Sequence, residues 1–187
     1  MLIRQGTFVL FAFLGLLIGC ALSPQHIIPT PILTADFPTV GHGQAINVKI
    51  IDGRRSNILG TRGGLYANTS NVTVNSEDVL PKLQAQAEHA LTTMGYQLNS
   101  NANNRLIITL AELTYRAPDS SRKIDVSATF RSELTTGSKG YKGRYSASKH
   151  QEFTSAPNIT ENTQLVSDVL KDALTRLLKD THLAGAL

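Results

Sequence analysis

The chain has no tryptophan and a single cysteine among its 187 residues, and aromatic side chains make up only 6% of it. One thiol excludes an internal disulfide, and with it the disulfide-framed class of small secreted domains. The scarcity of aromatics argues against a stacking platform such as a sugar-binding groove. Charge is thin at 17%, and no run of Lys or Arg exceeds two residues. The formal net charge of +4 is too mild and too dispersed for a nucleic-acid binder. The histidines, His26, His42, His89, His150 and His182, never stand at metal-ligand spacing with a suitable third ligand, so neither metal nor cofactor is expected.

Long apolar runs are also lacking, with one exception at the start. Phe8 to Ile18 is an uninterrupted apolar or small stretch of eleven residues. As a helix it covers roughly 17 Å, against a hydrocarbon core of about 30 Å. An uncleaved anchor helix is therefore disfavoured, the more so because Pro24 follows closely. Arg4 and the amino terminus put positive charge before the run, and small or aliphatic residues end it, which is the build of a secretory signal. Leu17-Ile18-Gly19-Cys20 resembles the lipobox of bacterial lipoproteins, with Ile18 standing where Ala or Ser is more usual. That resemblance implies removal of residues 1–19 and diacylglycerol on the Cys20 sulfur. At about 0.8 kcal/mol per buried methylene, two or three acyl chains hold a protein on its membrane. In the sorting pattern of Gram-negative lipoproteins, Ala21 rather than Asp after the cysteine implies the outer membrane, with the body in the periplasm.

The 168 residues from Cys20 onward suffice for one domain with a proper core. Residues 20–44 carry four prolines and read as a tether, which at about 3.1 Å per extended residue would reach some 60 Å. Ile27-Ile28 and Ile32-Leu33 leave open a second reading, in which part of it adds an edge strand. "AINVKIID" alternates as a strand, and "DGRR" is expected to turn it through the positive φ that Asp-Gly tolerates. A loose hairpin is expected from Ser56 to Asn75. "DVLPKLQAQAEHALTTMG" carries an apolar stripe of Leu80, Leu83, Ala87, Leu91 and Met94, with Asp78 as the expected N-cap and Gly95 as the C-terminal stop. Three strands follow, of which "KIDVSATFRSEL" alternates most cleanly.

Asn158 and Glu161 stand at capping-box spacing before a wide stripe of Leu165, Val166, Val169, Leu170, Ala173, Leu174, Leu177 and Leu178. These elements predict an α+β two-layer sandwich. A mainly antiparallel sheet of four to five strands would carry two amphipathic helices on one face, in a single domain over 45–182 with a short tail at 183–187.

With Cys20, "INVKIIDGRRSNILG", "LPKLQAQAEHALTTMGYQL" and "NITENTQLVSDVLKDALTRLLKD" in place, the chain resembles the YajG family of Gram-negative lipoproteins along essentially its whole length. The resemblance implies an outer-membrane envelope protein linked by association to cell-wall recycling, and it brings no catalytic residues.

The sequence offers little chemistry of its own. "SASK", Ser146 to Lys149, matches Ser-x-x-Lys as a string but falls on a strand rather than a helix start. Glu112 is the one carboxylate that could be nominated for acid–base work. The segment "DGRRSNILGTRGG" gathers Asp52, Arg54, Arg55 and Arg62 on a glycine-rich connection, where arginine could hold phosphate or carboxylate; the alternative is an ordinary solvated hairpin. The expected role is a non-catalytic binding or scaffold module, fixed to the membrane through its lipid anchor and meeting an unknown envelope protein or cell-wall component. An accessory subunit of an envelope transport or assembly machine is the alternative.

Overall fold

The computed structural model describes residues 22–65, 67–118, 120–137 and 139–186. In chain order the strands are β1 (Gln25–His26), β2 (Ala45–Asp52), β3 (Ile58–Thr61), β4 (Asn71–Thr73), β5 (Gln97–Leu98), β6 (Arg105–Arg116), β7 (Lys123–Thr136) and β8 (Lys139–Glu152). The helices are α1 (Ser76–Thr93), α2 (Ile159–Leu178) and the short α3 (Thr181–Ala186). The architecture is α+β, with a five-stranded sheet in the order β5-β2-β6-β7-β8 and a three-stranded sheet in the order β1-β4-β3.

Strands β6, β7 and β8 form an antiparallel meander whose alternation follows the side chains. On β7, Ile124, Val126, Ala128 and Phe130 are buried to 1% exposure or less, while Arg131 and Glu133 on the opposite face are exposed. The sheet is mainly antiparallel, as expected, with a parallel part at one side: β2 runs parallel to both β5 and β6, with Asn47 beside Arg105 and Asp52 beside Leu110. The physical reason is the crossover: α1 carries the chain back along the sheet, so the strand after it runs the same way as β2.

The cover is helical. All eight residues of the α2 stripe are buried, and the capping box forms as expected: the Asn158 side chain accepts from the Glu161 N–H at 3.0 Å, and the Glu161 carboxylate from the Asn158 N–H at 2.7 Å. On α1 the stripe includes Val79 and Ala90, with Leu80 only partly buried. Gly95 takes φ 89°, and the Tyr96 N–H closes onto the Leu91 carbonyl, the left-handed stop anticipated for it. The N-terminus of α1 differs from expectation. Asn75, not Asp78, is the N-cap residue, and Pro81 lies inside the helix. Pro81 therefore offers no N–H to the carbonyl of Glu77. The first turn is held instead from outside, by Ser76 on Asp52 and by His26 on Asp78.

Three further expectations are corrected. The stretch read as a tether is laid against the body from Leu22 onward: β1 pairs with β4, Ile27 is fully buried, and the Thr30 and Leu33 N–H groups donate to Ser167 and Gln86. The edge-strand alternative is the one realised. The Asp52-Gly53 step does not fold β2 back on itself, since β2 lies between β5 and β6; Gly53 has no positive φ, and its N–H donates to Leu110. The hairpin that follows, β3 to β4, belongs to the small sheet. Finally, the expected tail from residue 183 is part of α3, with Leu183 buried.

Candidate functional site

Asp52 ends β2 and Arg54 follows two residues later, so the chain places a carboxylate and a guanidinium side by side at the mouth of α1. Arg54 grips Asp52 with Nε and Nη2, the latter at 2.7 Å, and Nη2 also donates to the Val74 carbonyl at 3.2 Å. The Ser76 hydroxyl donates to the same carboxylate. The pair is nearly closed to solvent, with the Arg54 side chain 4% and Asp52 16% exposed. Burial by itself would raise the Asp52 carboxyl, but the bonds from Arg54, Ser76 and the Arg54 N–H outweigh it and hold it at about 2. This pair locks β2 to the start of α1.

Arg62, at the far end of β3, is separate from that pair. It is 7% exposed and donates to the Ser23 carbonyl at 2.9 Å and the Pro157 carbonyl at 2.8 Å. It thus ties the N-terminal segment, the hairpin and the approach to α2 together. Of the three arginines in the segment only Arg55 is exposed. It borders an open cleft of about 500 Å³ with Arg54, Arg131 and Glu112, where β6 is bulged between Leu110 and Glu112. Glu112 is itself half exposed and paired to Arg144 at 3.2 Å. The four residues expected to act together therefore divide into a buried ion pair, a buried clamp and one surface arginine. What the cleft offers chemically is two exposed guanidiniums, Arg55 and Arg131, suited to a carboxylate or phosphate.

Two polar clusters escaped the sequence reading. Asn162 is fully buried on the apolar face of α2, accepts from the Tyr115 hydroxyl at 3.0 Å and donates to Gln25 at 2.7 Å. Burial pushes the Tyr115 phenol up to about 12, against the lowering effects of Asn162 and Arg62. An asparagine one turn before Leu165 and Val166 was a legible signal, since a buried amide needs a partner. At the other end of the sheet, Tyr141 and Tyr145 both donate to Asp180, at 2.6 and 2.5 Å. Burial followed by the Asp180 bond raises the Tyr145 phenol, and the Asp180 bond comes first for Tyr141. Burial would raise Asp180, and the two phenols draw it down instead.

His26 bonds Asp78 and Thr73, and His150 bonds Asp125. Among the described residues no three His, Cys, Asp or Glu side chains converge as metal ligands would, and no helix is long and apolar enough to cross a membrane. The expected signal segment and Cys20 lie outside the described residues.

A family model described as an uncharacterized lipoprotein, Lipoprotein_16, matches residues 31–187, and the chain belongs to that family. No curated protein matches it. Among solved structures, protein XCC0632 from Xanthomonas campestris, of family DUF330, is similar with a TM-score of 0.58 and 14% identity, over 86% of this chain and 96% of that one. A candidate lipoprotein from Caulobacter crescentus gives a TM-score of 0.43 at 15% identity, over 74% of this chain and 90% of that one. The Xanthomonas likeness is one of fold.

Proposed function

We propose that this lipoprotein is a YajG-type, non-catalytic binding module, held on the periplasmic face of the outer membrane by acyl chains on Cys20. The observation that carries the reading is the lipoprotein family match over residues 31–187, joined to a lipobox-like Leu17-Ile18-Gly19-Cys20 behind a short export signal. Ala21 supports the outer membrane over the inner. A binding rather than catalytic role is supported by how the perturbed groups are used. Against burial, Asp52 and Asp180 are drawn down by the bonds they accept, Tyr115 and Tyr145 are raised first by burial, and each of the four is hydrogen-bonded within the fold. The contact residues for an anionic wall or lipid component are Arg55 and Arg131, which flank the 500 Å³ cleft.

Radiolabelled palmitate should enter the wild-type protein and not C20S, and C20S should move from the outer-membrane fraction to the soluble periplasm. Persistence of C20S in the membrane would sink the reading. Replacing Arg55 and Arg131 together with Ala should weaken binding to isolated sacculi or lipopolysaccharide without loss of fold. E112Q should restore a deletion strain as the wild type does; failure there would reopen catalysis.

A further inference from the structure

The distance between the lipid and the body is set by where the chain first docks, and it docks at once. Leu22 reaches Gly64, since a Cβ on that glycine would stand 3.6 Å from the Leu22 Cδ1. One residue on, the Ser23 carbonyl accepts from Arg62, and Gln25 and His26 are already in the small sheet. Only two peptide steps separate Cys20 from Leu22, a reach of about 7 Å. That replaces the roughly 60 Å of a free tether.

The place where the chain docks is one pole of the molecule. Gly63, with φ 71°, lies against Ala117 and Ser121 of the β6–β7 connection, and Arg62 reaches Pro157 just before α2. Two apolar side chains stand out to solvent at this pole. Leu65 is 82% exposed, the most exposed large hydrophobic among the described residues, and it is carried on a loop braced by Ser70 donating to the Gly63 and Ala67 carbonyls. Ile159 is 49% exposed, and its backbone nitrogen stands 3.2 Å from the Gln25 amide. Among the exposed described residues here, Arg116 and Arg122 are matched by Glu152 and Glu161. An anionic protein surface would find no net attraction at this pole, whereas an apolar tip beside acyl chains suits a lipid interface.

We infer that the short span from Cys20 presses this pole onto the bilayer, with Leu65 seated in the headgroup–acyl boundary and the β7–β8 turn pointing away. The inference rests on the lipidated Cys20 of the proposed function. Strand β6, twelve residues at about 3.3 Å each, then holds Asn101 and the β5–β6 loop roughly 40 Å from the lipid. The membrane face is thereby committed to the anchor, and the far end and the flanks of the sheet remain open to the periplasm.

The test uses the full-length lipidated protein in phosphatidylethanolamine–phosphatidylglycerol vesicles that carry a nitroxide near the headgroup. A thiol-reactive fluorophore is placed on L65C or on N101C; both positions are exposed, so neither change threatens the core. A thioether-linked Cys20 takes no label, so the parent protein reports the anchor directly. Fluorescence at position 65 should fall at least about twofold with nitroxide lipid, and position 101 should not respond. No quenching at 65, or equal quenching at both, on protein that floats with the vesicles, overturns the orientation and leaves the anchor standing. A parent that takes label at Cys20 and does not float overturns both. In a second variant, about ten Gly and Ser residues inserted between Ala21 and Leu22 should leave flotation intact and abolish the quenching at 65. Quenching that survives the insertion overturns the claim that the short span imposes the orientation.

Discussion

The two sheets are built on different principles. The five-stranded sheet is held by area: its inner face and the two long helices bury side chains such as Phe130, Leu106 and Leu170 completely, each contributing about 1.5–3 kcal/mol. The three-stranded sheet has strands of two to four residues and sends only a few side chains into the core, among them Leu59, Val72 and, just after β1, Ile27. It is held by polar fixtures at its margins, with Arg54 on Asp52 and Val74, Arg62 on Ser23 and Pro157, and Gln25 on Asn162. Removing a contact in the large sheet should lower global stability. Removing a fixture in the small one should free a segment.

The largest effect should come from the core of the large sheet. Phe130→Ala is expected to cost about 3–5 kcal/mol, measured by chemical denaturation, with all probes moving together. An equal loss confined to the small sheet would break the distinction. Next is Asp52→Asn, expected to cost about 2 kcal/mol at neutral pH, from a carboxyl held at about 2 where an unfolded one titrates near 3.8. The sign follows from that depression: the stabilisation is complete above the unfolded value and is lost as pH falls through about 2. The wild type should therefore lose its advantage over D52N on acidification, and a constant gap down to pH 2 would refute the assignment.

Arg62→Met should cost about 1–2 kcal/mol and show its main effect locally. Hydrogen exchange of residues 23–27 should quicken while β6 to β8 keep their protection. Uniform acceleration would mean that the strap and the body are one cooperative unit. At the alkaline end, the phenol of Tyr115, raised to about 12 by burial, favours the fold below pH 10 and ceases to do so as pH rises through 12. The smallest change is Arg55→Ala, expected within about 0.5 kcal/mol because the side chain is exposed. A larger loss would show that Arg55 belongs with the buried fixtures rather than with the cleft.

What could be read from the residues depended on how local the determining interaction is. The α2 capping box, the Gly95 stop and the alternation of β7 are properties of a few consecutive residues, and they were legible for that reason. The charged segment was legible as a place but not as a site. Arg54 and Arg62 differ only in which backbone carbonyls the fold brings within reach, Val74 in one case and Ser23 and Pro157 in the other. Residue type gives the hydrogen-bonding capacity of a guanidinium, and long-range proximity decides whether that capacity is used internally or left for a ligand. The N-cap of α1 moved for a similar reason. Asp78 is a good capping residue, but His26, fifty-two positions away, engages its carboxylate, and Ser76 is held by Asp52.

By itself, the order of amino acids determined the helices, the long strands and the α+β arrangement, because hydrophobic periodicity and end signals act over a few residues. Only the tertiary structure decided that β2 lies parallel to β6, that Asp52 and Arg62 serve separate places, and that the proline-rich segment is a strap and not a tether. Extended, proline-containing backbone costs little to leave in water and little to lay on a surface; the choice falls to remote partners, β4, Ser167 and Gln86, that no local pattern announces.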